Sequence, residues 1–310
     1  MTEATPAGPR VSLVVVNYNT ATLASRLLDG SEGGADEVVV VDNASTEGRI
    51  DDVAERHPGV RVLRLPRNCG YGAGANAGAR ECTGEVLVVA NPDVQITAAD
   101  LRKLAAVAAQ PGVGVAAPSF VDGTGAFLPS SHYRDPGLLT TLWNFSSLFG
   151  GLNSRLRPSW NPTLRSAAQH ASDHETVHVL GALIAIDAQA FARIGGFDER
   201  FFLYREETDL CDRMRQGGWT VRHVAGVTAT HDGDASSRDH RPIEIRPASV
   251  RSHYIYLQKH RGRWIAGLAW LLGVFGSISW LVIGPRRRWA KESIRAHMQA
   301  LPLRMRGRLS

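Results

Sequence analysis

The sequence predicts an α/β protein whose central strands run mostly parallel and are covered by helices on both faces. Three continuous apolar runs and one alternating run support this fold class, and they occupy Val11–Val16, Val38–Val41, Val86–Ala90 and Arg61–Leu65. Valine-rich runs of this kind are typical of strands buried on both faces. Helical patterns at residues 20–30 and 98–109 lie between the strands, and Val113–Ala117 predicts a fifth strand.

Polar side chains stand at the carboxyl ends of three predicted strands. Asn17 and Asp42 directly follow two of the valine runs, and Asp93 follows a third through Asn91 and Pro92. Ligands of open α/β sheets bind at this edge. Asn and Asp also favour loop starts for local reasons, but three of them at equivalent places favour a binding site.

The composition is that of an ordinary globular protein, with 310 residues, 44% apolar and 21% charged. This length suits one large domain or two small ones. Cys69, Cys82 and Cys211 are odd in number and lack metal-type spacing, which favours a reducing cytoplasm. The first ten residues contain no apolar signal core, and residues 1–9 are interpreted as a loose tail.

Three carboxylates, Glu206, Glu207 and Asp209, follow the apolar run Phe201–Leu203. Carboxylates clustered beside a buried segment shift one another's pKa and can supply a general base. The alternative is an acidic first turn of a helix, where negative side chains are favoured by the helix dipole.

The segment Gly70–Ala75 matches the dinucleotide fingerprint G-x-G-x-x-G/A, with Asp93 further along the chain. A dinucleotide-dependent oxidoreductase is therefore an alternative function. Residues 66–69 separate the preceding strand from the first glycine, although this fingerprint requires a tight turn there. A small-residue helix packed close to a phosphate-bearing ligand explains the glycines equally well.

The acids at the ends of the predicted strands suggest specific ligands. The carboxylate of Asp42 could accept the N3–H of a pyrimidine base. Asp93 offers oxygen to a hard divalent cation, which needs few protein ligands when phosphates supply the others. His231 follows a further predicted strand, Val221–Val227, and is a candidate second ligand, although a lone histidine is usually structural.

Taken in order, these segments resemble a family 2 glycosyltransferase with the GT-A fold over roughly residues 10–235. The resemblance rests on Val14–Asn19, Val41–Ser45, Asn68–Asn76, Asn91–Asp93, Gly195–Glu199 and Glu206–Leu210. Within the family, they are most similar to actinobacterial rhamnosyltransferases that act on polyprenyl-diphosphate-linked N-acetylglucosamine. The implied fold is a Rossmann-like mixed sheet flanked by helices.

The resemblance implies an inverting transfer of L-rhamnose from dTDP-rhamnose, or of a sugar from a UDP-sugar, to a lipid-linked saccharide. Mg²⁺ or Mn²⁺ would be held by Asp93 and His231. The implied donor-binding residues are Asn17, Asp42, Asn68, Gly70, Tyr71, Asn76, Asn91 and Asp93. Glu207 would be the catalytic base, Glu206 and Asp209 would shape its electrostatics, and Gly181 and Ala182 would lie beside the acceptor.

Two positions depart from the family pattern. Asn91 stands where many relatives have the first Asp of the metal motif. Glu207 stands where the family has its base Asp, so Asp209 remains an alternative base.

The C-terminal region contains a 21-residue run without charged side chains, Trp264–Gly284, followed by Arg286, Arg287, Arg288 and further basic residues. It could attach to the membrane as an interfacial or re-entrant segment, pack as a buried helix or span the bilayer, and we favour interfacial or re-entrant attachment. The predicted partner is the anionic inner face of the cell membrane, with a cytoplasmic enzyme attached peripherally. No nucleic-acid motif accompanies the basic residues, and a homodimer is possible.

These observations predict a tail at residues 1–9, a catalytic domain at 10–249 and a basic helical membrane-associated region at 250–310. The catalytic domain divides into a nucleotide-binding half, 10–117, and an acceptor-binding half, 118–249. Residues 125–175 predict an irregular insertion. A membrane-associated transferase-like protein without catalytic activity remains the non-enzymatic alternative.

Overall fold

The computed structural model describes residues 8–128, 132–133, 170–231, 242–283 and 287–300. Most of the predicted insertion at residues 125–175 lies outside the described residues. Residues 1–7 of the predicted tail, Gly284 and the basic residues beyond 300 also lie outside them.

Each predicted strand corresponds to a described strand, and further strands join them. The described strands are β1 (Val11–Asn17), β2 (Glu37–Asp42), β3 (Val60–Arg64), β4 (Val86–Ala90), β5 (Val94–Gln95), β6 (Val113–Val121), β7 (His132–Tyr133), β8 (His174–Glu175), β9 (His178–Val179), β10 (Leu183–Asp187) and β11 (Thr220–His231). Residues 180–182 turn between β9 and β10.

The described helices connect and cover these strands or form the C-terminal region. They are α1 (Ala21–Ser31), α2 (Ile50–Arg56), α3 (Tyr71–Ala79), α4 (Ala98–Ala108), α5 (Ala188–Arg193), α6 (Glu206–Gln216), α7 (Pro242–Arg261), α8 (Arg263–Ile283) and α9 (Arg287–Gln299). The helices predicted at residues 20–30 and 98–109 are confirmed as α1 and α4.

The main sheet is mixed, with the order β3-β2-β1-β4-β10-β6-β11-β5. Strands β3, β2, β1 and β4 run parallel, whereas β10 lies antiparallel between β4 and β6. Because β1, β2 and β4 are parallel neighbours, their carboxyl ends meet at one edge of the sheet. This arrangement brings the polar strand ends noted in the sequence to the same edge.

Helix α3 packs unusually close to the sheet because glycine faces two strands. A Cβ atom at Gly78 would lie 2.5 Å from Cγ1 of Val14 and 2.8 Å from Cγ2 of Val41. Both valines are fully buried. Within the sequence motif, a Cβ atom at Gly74 would likewise lie 2.9 Å from Cγ1 of Val16, so this glycine also allows close helix–sheet packing.

The chain divides into two compact units. The first includes the described residues up to 133, residues 170–199 and residues 207–231. The second includes residues 200–206 and the described residues from 242 onwards, and its core joins Phe201 to α7, α8 and α9. Within this second core, the Tyr254 hydroxyl lies 2.8 Å from Nδ1 of His297, and the Trp270 indole donates to the His297 carbonyl.

The close approach of α3 predicts that Gly78→Val destabilises the protein. Added atoms would overlap Val14 and Val41, and overpacking of a core typically costs about 1–3 kcal/mol. Urea unfolding measures this loss. Gly59→Ala is the control, because no atom lies within 4 Å of a Cβ built there. Equal unfolding free energies for the Gly78 variant and the wild type would contradict the packing role.

Candidate active site

The ends of β1 and β2 are joined by a buried hydrogen-bond network around Asn17. The parallel register sets Asn17 opposite Asp42, and the Asn17 amide donates to Oδ1 of Asp42 at 3.2 Å. The same amide nitrogen lies 3.2 Å from the Ser45 hydroxyl, and the amide oxygen accepts from the Thr20 backbone and hydroxyl. The side chains of Asn17 and Asp42, both predicted to bind donor, therefore meet directly.

Asp42 is held by donors that converge on one of its oxygens. The Ser45 hydroxyl lies 2.5 Å from Oδ1, and the Ser45 backbone N–H reaches the same atom at 3.4 Å. Asp42 is 6% exposed. Ser45 is a site residue that the sequence did not single out, because a serine in a polar loop gives no signal of its contacts.

Asn43 fixes the loop that precedes α3. Its amide donates to Oδ1 of Asn68 at 3.0 Å and to the Gly70 carbonyl at 3.1 Å, while its oxygen accepts from the Cys69 backbone. Gly70 begins the helix with a φ of 92°, a conformation that favours glycine. Asn43 was not predicted as a site residue, although it directly follows Asp42 at the strand end.

Two features of this loop limit the chemistry it can do. Six residues, 65–70, connect β3 to α3, so the tight turn of a dinucleotide fingerprint is missing here. Burial raises the pKa of the Cys69 thiol, which disfavours its thiolate as a metal ligand.

The turn at Gly181 lies against both Tyr71 and Glu207. The Tyr71 hydroxyl donates to the Gly181 carbonyl at 3.2 Å. A Cβ atom at Gly181 would lie 2.9 Å from Cβ of Glu207, so this contact has no room for a side chain. A residue predicted to bind donor, the turn predicted to meet the acceptor and the predicted base are therefore contiguous.

Asn76 holds the segment after α5 against α3. Its amide accepts from the Phe197 N–H at 2.8 Å, and it donates to the Phe197 carbonyl and to a carboxylate oxygen of Glu199. These hydrogen bonds are sufficient to explain why Asn76 is buried. Its predicted role in donor binding stays a prediction.

The side chains of Asp93 and His231 lie close together, just beyond the end of β4 and at the end of β11. Oδ1 of Asp93 lies 3.5 Å from Nε2 of His231, and Asp93 is 4% exposed. The pairing of β11 with β5 sets His231 opposite Val94, which fixes this approach. Within the described ranges, no cluster of three or more His, Cys, Asp or Glu side chains is arranged to hold a metal.

The metal motif also touches the predicted acceptor turn. The Asn91 N–H donates to the Ala182 carbonyl at 2.7 Å, because β10 pairs with β4 immediately beyond this point. The antiparallel insertion of β10 therefore brings Ala182 to Asn91, which the sequence spacing could not reveal.

The acidic motif forms the first turn of α6. Asp209 is completely buried, and its Oδ2 accepts from Nε of Arg213 at 2.7 Å, one helical turn further on. Arg213 also donates to the Ile194 carbonyl at 2.8 Å. Glu207 is only partly buried, and its Oε1 accepts from the Thr208 hydroxyl at 3.2 Å.

The residues before this helix adopt a strained backbone. Tyr204 and Arg205 have φ values of 66° and 72°. Left-handed conformations of non-glycine residues cost about 1–3 kcal/mol each and cluster at functional sites. The strained residues directly precede the Glu206–Asp209 turn, whose catalytic role stays a prediction.

Residues 12–195 match the family described as Glycosyl transferase family 2. The chain belongs to this family, and it is a glycosyltransferase. It is 32% identical over 253 residues to N-acetylglucosaminyl-diphospho-decaprenol L-rhamnosyltransferase of Mycobacterium tuberculosis, covering 76% of this chain and 79% of the relative. The predicted family and its rhamnosyltransferase resemblance are confirmed.

Solved structures confirm the predicted GT-A fold. The mannosyltransferase PcManGT from Pyrobaculum calidifontis, in complex with GDP-Man and Mn²⁺, is 18% identical with a TM-score of 0.53, covering 97% of this chain and 88% of that one. S. aureus TarS residues 1–349 are 16% identical with a TM-score of 0.54, covering 95% of this chain and 82% of that one.

The hydrogen-bond network around Asn17 predicts that Asn17→Asp lowers folding stability in a pH-dependent way. The new carboxyl keeps an acceptor for Thr20 but replaces the donor to Asp42 with a second acid. In the folded state, one carboxyl of the pair would then keep its proton at pH values above the pKa that it has in the unfolded chain. Folding stability should therefore fall as pH rises from about 4 to 7, with a loss of about 1–3 kcal/mol at pH 7.

Chemical unfolding at pH 4 and pH 7 measures this dependence. Asn19→Asp is the matched control, because the Asn19 amide oxygen accepts from the backbones of Thr46 and Glu47, and a carboxylate preserves both bonds. The same pH dependence in both variants would contradict a direct Asn17–Asp42 interaction.

Proposed function

We propose that this glycosyltransferase moves L-rhamnose from dTDP-rhamnose to a hydroxyl of a polyprenyl-diphosphate-linked saccharide, with inversion at the anomeric carbon. The observation that carries the proposal is the 32% identity to the mycobacterial rhamnosyltransferase across 79% of that protein. A UDP-sugar is the alternative donor, because a pyrimidine base is common to both nucleotides.

Asp42 is proposed to recognise the pyrimidine. The donors from Asn17 and Ser45 converge on Oδ1, so we assign Oδ2 to the N3–H of the base. A carboxylate held by three hydrogen bonds is already oriented when the nucleotide arrives. Adenine offers no N3–H, so the same geometry disfavours adenine nucleotides.

Asp93 and His231 are proposed to hold Mg²⁺ or Mn²⁺. A buried carboxylate 3.5 Å from an imidazole suits these cations, and a diphosphate would complete the oxygen ligands. When bound, the cation would offset negative charge on the leaving nucleotide diphosphate. The solved structure of PcManGT with GDP-Man and Mn²⁺ supports a cation of this class.

Glu207 is proposed as the base in preference to Asp209. Asp209 is fully buried and ion-paired with Arg213, so proton uptake there would break a buried pair. Glu207 lies beside the Gly181 turn and is partly exposed. Glu206 and Asp209 are proposed to shape the electrostatics around Glu207.

In the proposed reaction, the acceptor hydroxyl attacks the anomeric carbon from the face opposite the diphosphate. The new C–O bond forms as the bond to the diphosphate oxygen breaks, and the hydroxyl proton passes to Glu207. Gly181 allows the acceptor turn to contact Glu207 directly, which fixes the base beside the incoming hydroxyl.

Glu207→Gln is expected to reduce turnover by about 10²–10⁴-fold while leaving donor affinity unchanged, because Gln cannot accept a proton. Asp209→Asn is the internal comparison, and it should lower stability more than turnover. Steady-state rates and calorimetric binding of dTDP separate these effects. An inactive but folded Asp209→Asn beside an active Glu207→Gln would move the base to Asp209.

Asp93→Asn is expected to weaken the Mn²⁺-dependent binding of dTDP by about tenfold to a hundredfold, the range for loss of a charge-assisted contact. Calorimetry with Mn²⁺ and with EDTA measures the dependence. Asp52→Asn, at an exposed carboxylate on α2, controls for the change of net charge. Unchanged Mn²⁺ dependence in Asp93→Asn would remove Asp93 from the cation site.

A further inference from the structure

Among the described side chains of helix α8, several large apolar ones face solvent, whereas small ones pack into the core of the second unit. Five large residues are exposed, and we call them the apolar stripe: Trp264, Leu268, Leu271, Phe275 and Ile278. Their exposed fractions run from 40% for Ile278 to 85% for Trp264. Globular helices normally show the opposite arrangement, so burial within the protein does not account for these side chains.

The spacing of the apolar stripe makes it one continuous surface. Its members follow one another at intervals of four, three, four and three residues, which keeps them on one face of a helix. From first to last they span about 21 Å along the axis, at 1.5 Å per residue. The stripe therefore runs along the helix, as a helix lying in a surface requires.

The opposite face of α8 fixes which way the stripe points. Ala266, Ala269 and Ser277 are buried, and the Ser277 hydroxyl lies 2.9 Å from the Ser293 hydroxyl of α9. A Cβ atom at Gly273 would lie 2.7 Å from both the His297 ring and the Tyr254 hydroxyl. Rotation of the helix to bury the stripe would force large residues into these close contacts.

The charges around the stripe are positive. Between residues 247 and 300 the sequence has one acidic side chain, Glu292, among many basic ones. Arg261 and Arg263 are exposed beside the start of the stripe, and Lys291 and Arg295 are exposed on α9. Met298 is also exposed on that helix.

This combination matches a helix that binds the surface of an anionic membrane. Such helices insert an apolar face at the level of the headgroups while basic side chains contact acidic lipids. Among the residues that the structure describes, no helix combines the length and hydrophobicity needed to cross a bilayer. A second copy of the chain fits less well, because self-association through the stripe would bring two positively charged surroundings together.

We propose that the apolar stripe of α8 inserts into the headgroup region of an anionic phospholipid membrane. The proposal is independent of the donor and acceptor assigned above, because it rests on contacts within the second unit. It sharpens the prediction of interfacial attachment by naming the side chains that enter the lipid and those that stay packed.

Co-sedimentation of the full chain with vesicles tests the proposal. We expect the wild type to bind vesicles of phosphatidylcholine mixed with phosphatidylglycerol, to bind pure phosphatidylcholine weakly, and to be released as salt increases. Phe275→Glu should reduce binding by about tenfold or more, because it removes an inserted ring and adds a charge that acidic lipids repel. Ala106→Glu, at an exposed position on α4, is the matched control and should bind normally.

Leu271→Gln provides a second test without added charge, and thermal unfolding checks that each variant is folded. Retained binding of dTDP by Phe275→Glu would separate loss of docking from failure of the proposed transferase function. Wild-type binding by both folded stripe variants would overturn the proposal, as would failure of the wild type to bind anionic vesicles. A wild-type dimer that Phe275→Glu converts to a monomer, seen by light scattering without vesicle binding, would assign the stripe to self-association instead.

Discussion

The parallel pairing of β1 with β2 is the constraint on which the site depends, because its register sets Asn17 beside Asp42. From that pair, Ser45 and Thr20 join one buried network, and Asn43 continues it into the loop that starts α3. A shift of one residue along β2 would turn these side chains to the opposite face of the sheet. Strand register, rather than any single polar contact, therefore positions the edge that is proposed to face the nucleotide.

The second half of the site is assembled by strands that are distant in the sequence. Strand β10 enters antiparallel beside β4 and carries Ala182 to Asn91, while β11 carries His231 to Asp93. Gly181 then meets Glu207, and Tyr71 bonds to the same turn from α3. The proposed donor, cation and acceptor residues of the first unit thus depend on one sheet for their relative positions.

Local sequence patterns were sufficient for the parallel strands at the centre of the site. Valine runs predicted β1, β2 and β4, and their polar ends located Asn17, Asp42 and Asp93. The same patterns could not place β10 between β4 and β6, because sheet order depends on contacts between distant segments. They also missed Asn43, Ser45 and Arg213, whose roles consist of hydrogen bonds to partners that only the fold brings near. The direction in which α8 faces was likewise hidden, since small and large apolar residues both satisfy a hydrophobic run.

Asp42, at the end of β2, is proposed to recognise a pyrimidine base. Calorimetric titration of dTDP and ADP in the presence of Mn²⁺, into wild type and Asp42→Ala, tests this proposal most directly. The wild type should bind dTDP more tightly than ADP by about tenfold or more, which is the value of one charge-assisted hydrogen bond to the base. The preference should disappear in a folded Asp42→Ala protein. A preference for dTDP that survives the substitution would contradict recognition of the base by Asp42.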